Sequence, residues 1–129
     1  SAGFVQTARE YIENSGNRSV LKYCKNNINY FSPEIANRAA KNGDKSAREI
    51  FSLFGKHLGV GIANYINIFN IELITIGGGI ALAGNIFIEP LIEEVKKRAF
   101  AIPANNCDIK ISRLGTDAGF IGASFLYAR

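Results

Sequence analysis

Ile71-Glu72-Leu73-Ile74-Thr75-Ile76 runs straight into Gly77-Gly78-Gly79-Ile80-Ala81, and this junction restricts the fold more than any other stretch. An apolar, β-branched run of this length reads as a largely buried strand. Three glycines at its carboxyl end free the backbone for positive φ and remove each Cβ that would block a ligand. A helix pattern follows over about residues 87–100, with Pro90 in its first turn. In open α/β sheets, ligands bind where strands end and helices begin, so this junction is the candidate site. After it, Cys107, Ile109 and Ile111 alternate with Asp108, Lys110 and Ser112, predicting a second strand over residues 107–114 with one wet face. A right-handed crossover makes the two strands parallel.

The preceding half is helical. Phe4, Ala8, Tyr11 and Ile12 share one side of a helix over residues 4–14, and residues 19–28 suit a short polar helix. Ser32 fits an N-cap, Pro33 the first helical position and Glu34 the positive helix end. That helix stops near Asn42-Gly43, and Asp44 caps the next, over residues 45–69, about 37 Å long at 1.5 Å per residue. Ala47, Ile50, Phe51, Phe54, Leu58, Ile62, Tyr65 and Phe69 form its apolar stripe. Gly55, Gly59 and Ala63 form a second ridge. Each interior glycine costs about 1 kcal/mol against alanine, so the ridge serves either close packing or backbone approach to a ligand. His57 beside it has no carboxylate or Cys partner and reads as a surface or packing residue. Thr116 or Asp117 caps a last helix, whose Gly119, Gly122 and Ala123 suit tight packing.

At 129 residues and 47% apolar content, the chain is one domain's worth with a real core. The net charge of +4 is scattered. Its one tight run, Lys96-Lys97-Arg98, suits a helix carboxyl end better than nucleic acid, since no basic or aromatic stripe accompanies it. Cys24 and Cys107 stand alone, which predicts reduced thiols and a cytoplasmic setting, with one long-range disulfide as the alternative. No apolar run reaches the roughly 18 residues of a membrane helix, and no membrane partner is expected. With no Met anywhere, the chain reads as a processed or excised segment. Two strands make a marginal sheet, and the first, apolar on both faces, calls for further strands beside it. A larger α/β domain is implied.

The glycines are not a Walker A loop, because no Lys-Ser or Lys-Thr follows, and they do not fit GxGxxG. Backbone contact to a base, ribose or phosphate fits them, and so does a plain tight turn. The order of motifs is more specific. Gly43-Asp44, Gly55-Lys56-His57-Leu58-Gly59-Val60-Gly61-Ile62-Ala63-Asn64, Ile74-Thr75-Ile76-Gly77-Gly78-Gly79 and Leu114-Gly115-Thr116-Asp117-Ala118-Gly119-Phe120-Ile121-Gly122-Ala123 follow one another. Together they resemble the carboxyl-terminal part of the ROK family (repressors, open reading frames and sugar kinases), including bacterial glucokinases, from about Gly3 to Tyr127.

The resemblance implies an α/β fold, the carboxyl-terminal part of an actin-like, hexokinase-type ATPase domain, helix-rich with few strands. Gly78-Gly79-Ile80-Ala81 matches that superfamily's adenosine motif, G-G-x-S/A. By resemblance, Gly77, Gly78, Gly79, Ile80 and Ala81 are then the nucleotide-binding residues. The family's usual Asn-Pro-Glu before the strand is here Asn70-Ile71-Glu72. Its D-x-G-G-T phosphate loop, its catalytic Asp and its Cys-rich zinc motif do not occur in these residues; the zinc site is expected upstream of Ser1. The implied parent is an ATP- and Mg²⁺-dependent kinase of a hexose or N-acetylhexosamine, a homodimer or higher oligomer, with residues 1–129 a single carboxyl-terminal-lobe domain, inactive alone. The alternative parent is a ROK transcriptional repressor, which binds DNA through an upstream helix-turn-helix.

Overall fold

The structure, a computed structural model, describes residues 2–100 and 105–112. Within them the chain runs α1 (Ala2–Ser15), α2 (Pro33–Lys41), α3 (Lys45–Phe69), β1 (Leu73–Ile76), α4 (Asn85–Arg98) and β2 (Asp108–Ile111). The expected last helix and residues 113–114 of the expected second strand lie outside the described residues.

Local chemistry sets most helix ends. Ser32 Oγ accepts from Ile35 N at 3.3 Å with Pro33 at N1, which starts α2 as expected. Gly43, at φ +84°, then turns the chain, and Asp44 Oδ1 accepts from Ala47 N at 3.1 Å to open α3. The Asp44 carboxylate is buried and also receives the Ser19 hydroxyl at 3.0 Å. Asn70, at φ +50°, closes α3 by donating its N–H to Ile66 O at 2.9 Å.

The polar helix expected over residues 19–28 is instead two 3₁₀ turns, Ser19–Cys24 and Ile28–Tyr30. Lys25 and Asn26 sit between them at φ +54° and +56°, a left-handed pair that no helix can contain. α4 begins two residues earlier than its pattern suggests, because Gly84 at φ +55° lets Phe87 and Ile88 donate to its carbonyl. Pro90 therefore falls in the second turn, not the first, and has no N–H to give Ile86.

The core joins the helices through aromatic rings. Phe4 lies 5.6 Å from Phe31, 5.0 Å from Phe51 and 5.4 Å from Phe54, and Phe54 lies 6.1 Å from Phe87. Along α3 the expected stripe holds as far as its cover extends. α1 meets α3 at Phe51 and Phe54, but Tyr65 and Phe69, further along, are 59% and 64% exposed and stack on each other. Ile66 is buried in their place, on the side facing α4 and β2.

The Gly55–Gly59 ridge is a packing seam. A Cβ at Gly55 would stand 2.5 Å from the Phe87 carbonyl, and one at Gly59 2.7 Å from that of Leu91. Helix α4 thus approaches to backbone contact, closer than any larger residue permits. Asn67 fastens the far end, giving Nδ2 to Arg98 O at 3.3 Å and accepting from Phe100 N at 2.8 Å.

β1 and β2 pair in parallel, with Leu73 opposite Asp108 and Ile76 opposite Ile111, as the crossover requires. Ile74, Ile76, Ile109 and Ile111 turn to the core. The expectation that β1 is covered on both faces does not hold: Leu73 is 55% exposed and Thr75 is also exposed. Core packing reaches one face of the pair, and its other face meets no described element.

Candidate functional site

The end of β1 opens into the glycine junction. Gly77 is exposed, and Gly78 adopts φ +78°, ψ −170°, a backbone region essentially reserved for glycine. Gly79 then starts a 3₁₀ turn, Gly79–Ala83, held by Ala81 N on Gly78 O and Gly84 N on Ala81 O, both at 3.1 Å. The strand is delivered into α4 with a recess on its outer side.

That recess is a cavity of about 310 Å³ lined by Gly77, Gly78, Gly79 and Ile80 on one wall and Ser32, Pro33 and Glu34 on the other. The first wall carries four of the five residues singled out from the sequence. Ala81 is outside the lining, 8% exposed, with its N–H already given to the turn.

The second wall is what sequence reasoning missed. Ser32, Pro33 and Glu34 were legible as a helix start, but no local pattern ties that start to a turn so distant in the chain. Gly79 carries the trace of the contact: a Cβ there would run into Glu34 Oε1 and come within 3.5 Å of Pro33 Cβ. At Gly78 no described atom lies within 4 Å of where a Cβ would stand, so its requirement is conformational.

Glu34 supplies the charge of the site. The Ser32 hydroxyl, and next its own backbone N–H, hold the Glu34 carboxyl below the usual carboxylate range. Among the described lining residues no side chain is cationic. A recess with one anion, one hydroxyl, open backbone and the apolar Pro33 and Ile80 suits an uncharged, hydroxylated, partly flat group. It does not suit a polyphosphate. The adenosine portion of ATP fits these walls, and its phosphates meet no cationic side chain among the described lining residues.

Other candidates carry less chemistry. His57 is exposed. Cys24 and Cys107 are free thiols; burial pushes both upward, and Asp108 adds to it at Cys107, so neither is an activated thiolate. Lys97 and Arg98 pair with Glu94 one turn back, Lys97 at 4.0 Å, in keeping with their reading as a helix terminus. Among the described residues no three His, Cys, Asp or Glu stand together as a metal site. No described helix is long and apolar enough to cross a membrane.

Comparison with known proteins gives the family and the fold. The ROK family profile matches residues 12–129. A glucokinase of Halalkalibacterium halodurans is 30% identical over 127 residues, 98% of this chain and 38% of its own length. A xylose repressor of Caldicellulosiruptor bescii is 32% identical over 96 residues, 74% of this chain and 24% of its own. The chain thus spans between a quarter and two fifths of these relatives. Among solved structures, a ROK glucokinase of Streptomyces griseus, in complex with glucose and AMPPNP, superposes with a TM-score of 0.76. That match covers 95% of this chain and 40% of the neighbour at 20% identity, which establishes the fold.

Proposed function

The chain belongs to the ROK family, and on that premise we propose that it is the carboxyl-terminal-lobe domain of an ATP-dependent, glucokinase-like sugar kinase. The observation that carries this reading is the cavity at the end of β1, whose lining offers one carboxylate, one hydroxyl, open glycine backbone and, among the described residues, no cationic side chain. The glucokinase relative aligns over nearly the whole chain, both walls included. Gly77, Gly78 and Gly79 are the proposed nucleotide contacts, with Ile80 beside them and Ala81 shaping the turn from below.

When bound, ATP with Mg²⁺ supplies the γ-phosphoryl group that passes to a hexose or N-acetylhexosamine hydroxyl. The part played by these residues is positional. They would seat the nucleoside, and the Glu34 carboxylate would disfavour phosphate on its side of the cavity. Catalytic acid–base work belongs outside these residues, and the isolated domain is expected to be inactive. The parent is proposed to be a cytoplasmic homo-oligomer.

A second reading rests on the xylose repressor relative: a ROK repressor, binding a sugar and DNA, built on the same domain. One assay separates them. The full-length protein is incubated with ATP, Mg²⁺ and a panel of glucose, N-acetylglucosamine, N-acetylmannosamine, fructose and allose. Turnover on any sugar is the expected result and names the substrate. No turnover, together with sugar-dependent binding to its own promoter DNA, assigns the repressor.

A further inference from the structure

Glu34 stands where the nucleotide reading leaves a question. It is an exposed carboxylate at the rim of the cavity, on the helix start that faces the glycine turn. Its Oε1 lies over Gly79, so close that a side chain there would displace it. The Ser32 hydroxyl, which caps α2 through Ile35 N at 3.3 Å, also lowers the pKa of the Glu34 carboxyl. The carboxylate thus lies at the start of α2 and over the glycine turn.

An ionised carboxylate only accepts hydrogen bonds, and two oxygens can take two donors at once. It repels phosphate, and no described cation in the cavity wall offsets that. Of the parts of a nucleotide, the vicinal hydroxyls of the ribose are the pair of donors such a group can take, as acidic residues do in other nucleotide folds. The flat base is left to Pro33, Ile80 and the open glycine backbone.

We propose that Glu34 is the specificity residue of this site, accepting the ribose hydroxyls and selecting ribonucleotides over deoxyribonucleotides. The assignment rests on the reading of the glycine turn as a nucleotide site, and the test keeps the two apart.

Binding of ATP and 2′-deoxy-ATP to the full-length protein is measured by calorimetry for wild type, Glu34→Ala, Glu34→Gln and Gly78→Val. Wild type is expected to prefer ATP by about 10-fold, the equivalent of one charge-assisted hydrogen bond. Glu34→Ala, which loses both contacts, should weaken ATP by more than that factor and 2′-deoxy-ATP only by its remaining 3′-hydroxyl contact, so that the preference disappears. Glu34→Gln, which keeps one acceptor oxygen, should fall between. Equal wild-type affinities, or a preference that survives in Glu34→Ala, overturns the role of Glu34. If Gly78→Val still abolishes ATP binding in that case, the nucleotide site stands without it. Absence of ATP binding in wild type, or full affinity in Gly78→Val, removes the nucleotide site and the ribose contact with it.

Discussion

The seam between α3 and α4 and the turn after β1 are both built on glycine, and they use it in opposite ways. At Gly55 and Gly59 the missing side chain is space already consumed, because the Phe87 and Leu91 carbonyls lie where a Cβ would be. At Gly78 the space is open and the backbone angle is the requirement. The first region is closed upon itself, while the second faces a cavity. A glycine cluster in sequence therefore says that something comes close or that the chain bends. Its surroundings decide whether a ligand is involved.

The contrast can be broken in order of expected effect. Gly55→Ala should be the most damaging, since its Cβ meets backbone that cannot step aside. Overpacking of this kind costs about 2–3 kcal/mol, more than alanine's helix preference of about 1 kcal/mol returns. Thermal unfolding of the full-length variant should show the loss, with ligand affinity kept in the folded fraction. A stability gain would mean the seam is looser than described. Gly78→Ala should cost about 1–3 kcal/mol from strain alone and should also weaken nucleotide binding.

Ser32→Ala comes third, at about 1 kcal/mol for the lost α2 cap, and it also reaches the cavity because the Ser32 hydroxyl lowers the pKa of the Glu34 carboxyl. Denaturant melts measure the first effect, and ribose discrimination the second. The smallest effect is that of pH. The folded-state pKa of Glu34 is depressed, so its contribution is present above the unfolded carboxylate value, near 4.3, and is lost as pH falls through the folded value. ATP preference over 2′-deoxy-ATP should thus hold at neutral pH and fade only on acidification below the ordinary carboxylate range. Loss of preference nearer neutrality would contradict a lowered pKa of the Glu34 carboxyl.

Much of the fold was legible because its signals are local. Ser32-Pro33, Gly43-Asp44 and the three- and four-residue spacing of α3 specify caps and periods within a few residues, and both helices follow them. The parallel pairing of β1 and β2 follows from handedness. What failed depended on what lies alongside. Tyr65 and Phe69 continue the stripe of α3 past the end of α1, and Leu73 faces away from the packed side of its sheet. The site was half legible for the same reason: Gly77, Gly78 and Gly79 announce a turn, but Glu34 joins them only through the packing of α2 on that turn.

ATP titration of the full-length wild type against Gly78→Val, with hexose binding followed in parallel, decides whether the turn after β1 is a nucleotide wall. ATP affinity should fall by about 10-fold or more, an energy of about 1.4 kcal/mol or above, with hexose affinity and helix content retained. Unchanged ATP affinity in a folded Gly78→Val protein would contradict that assignment.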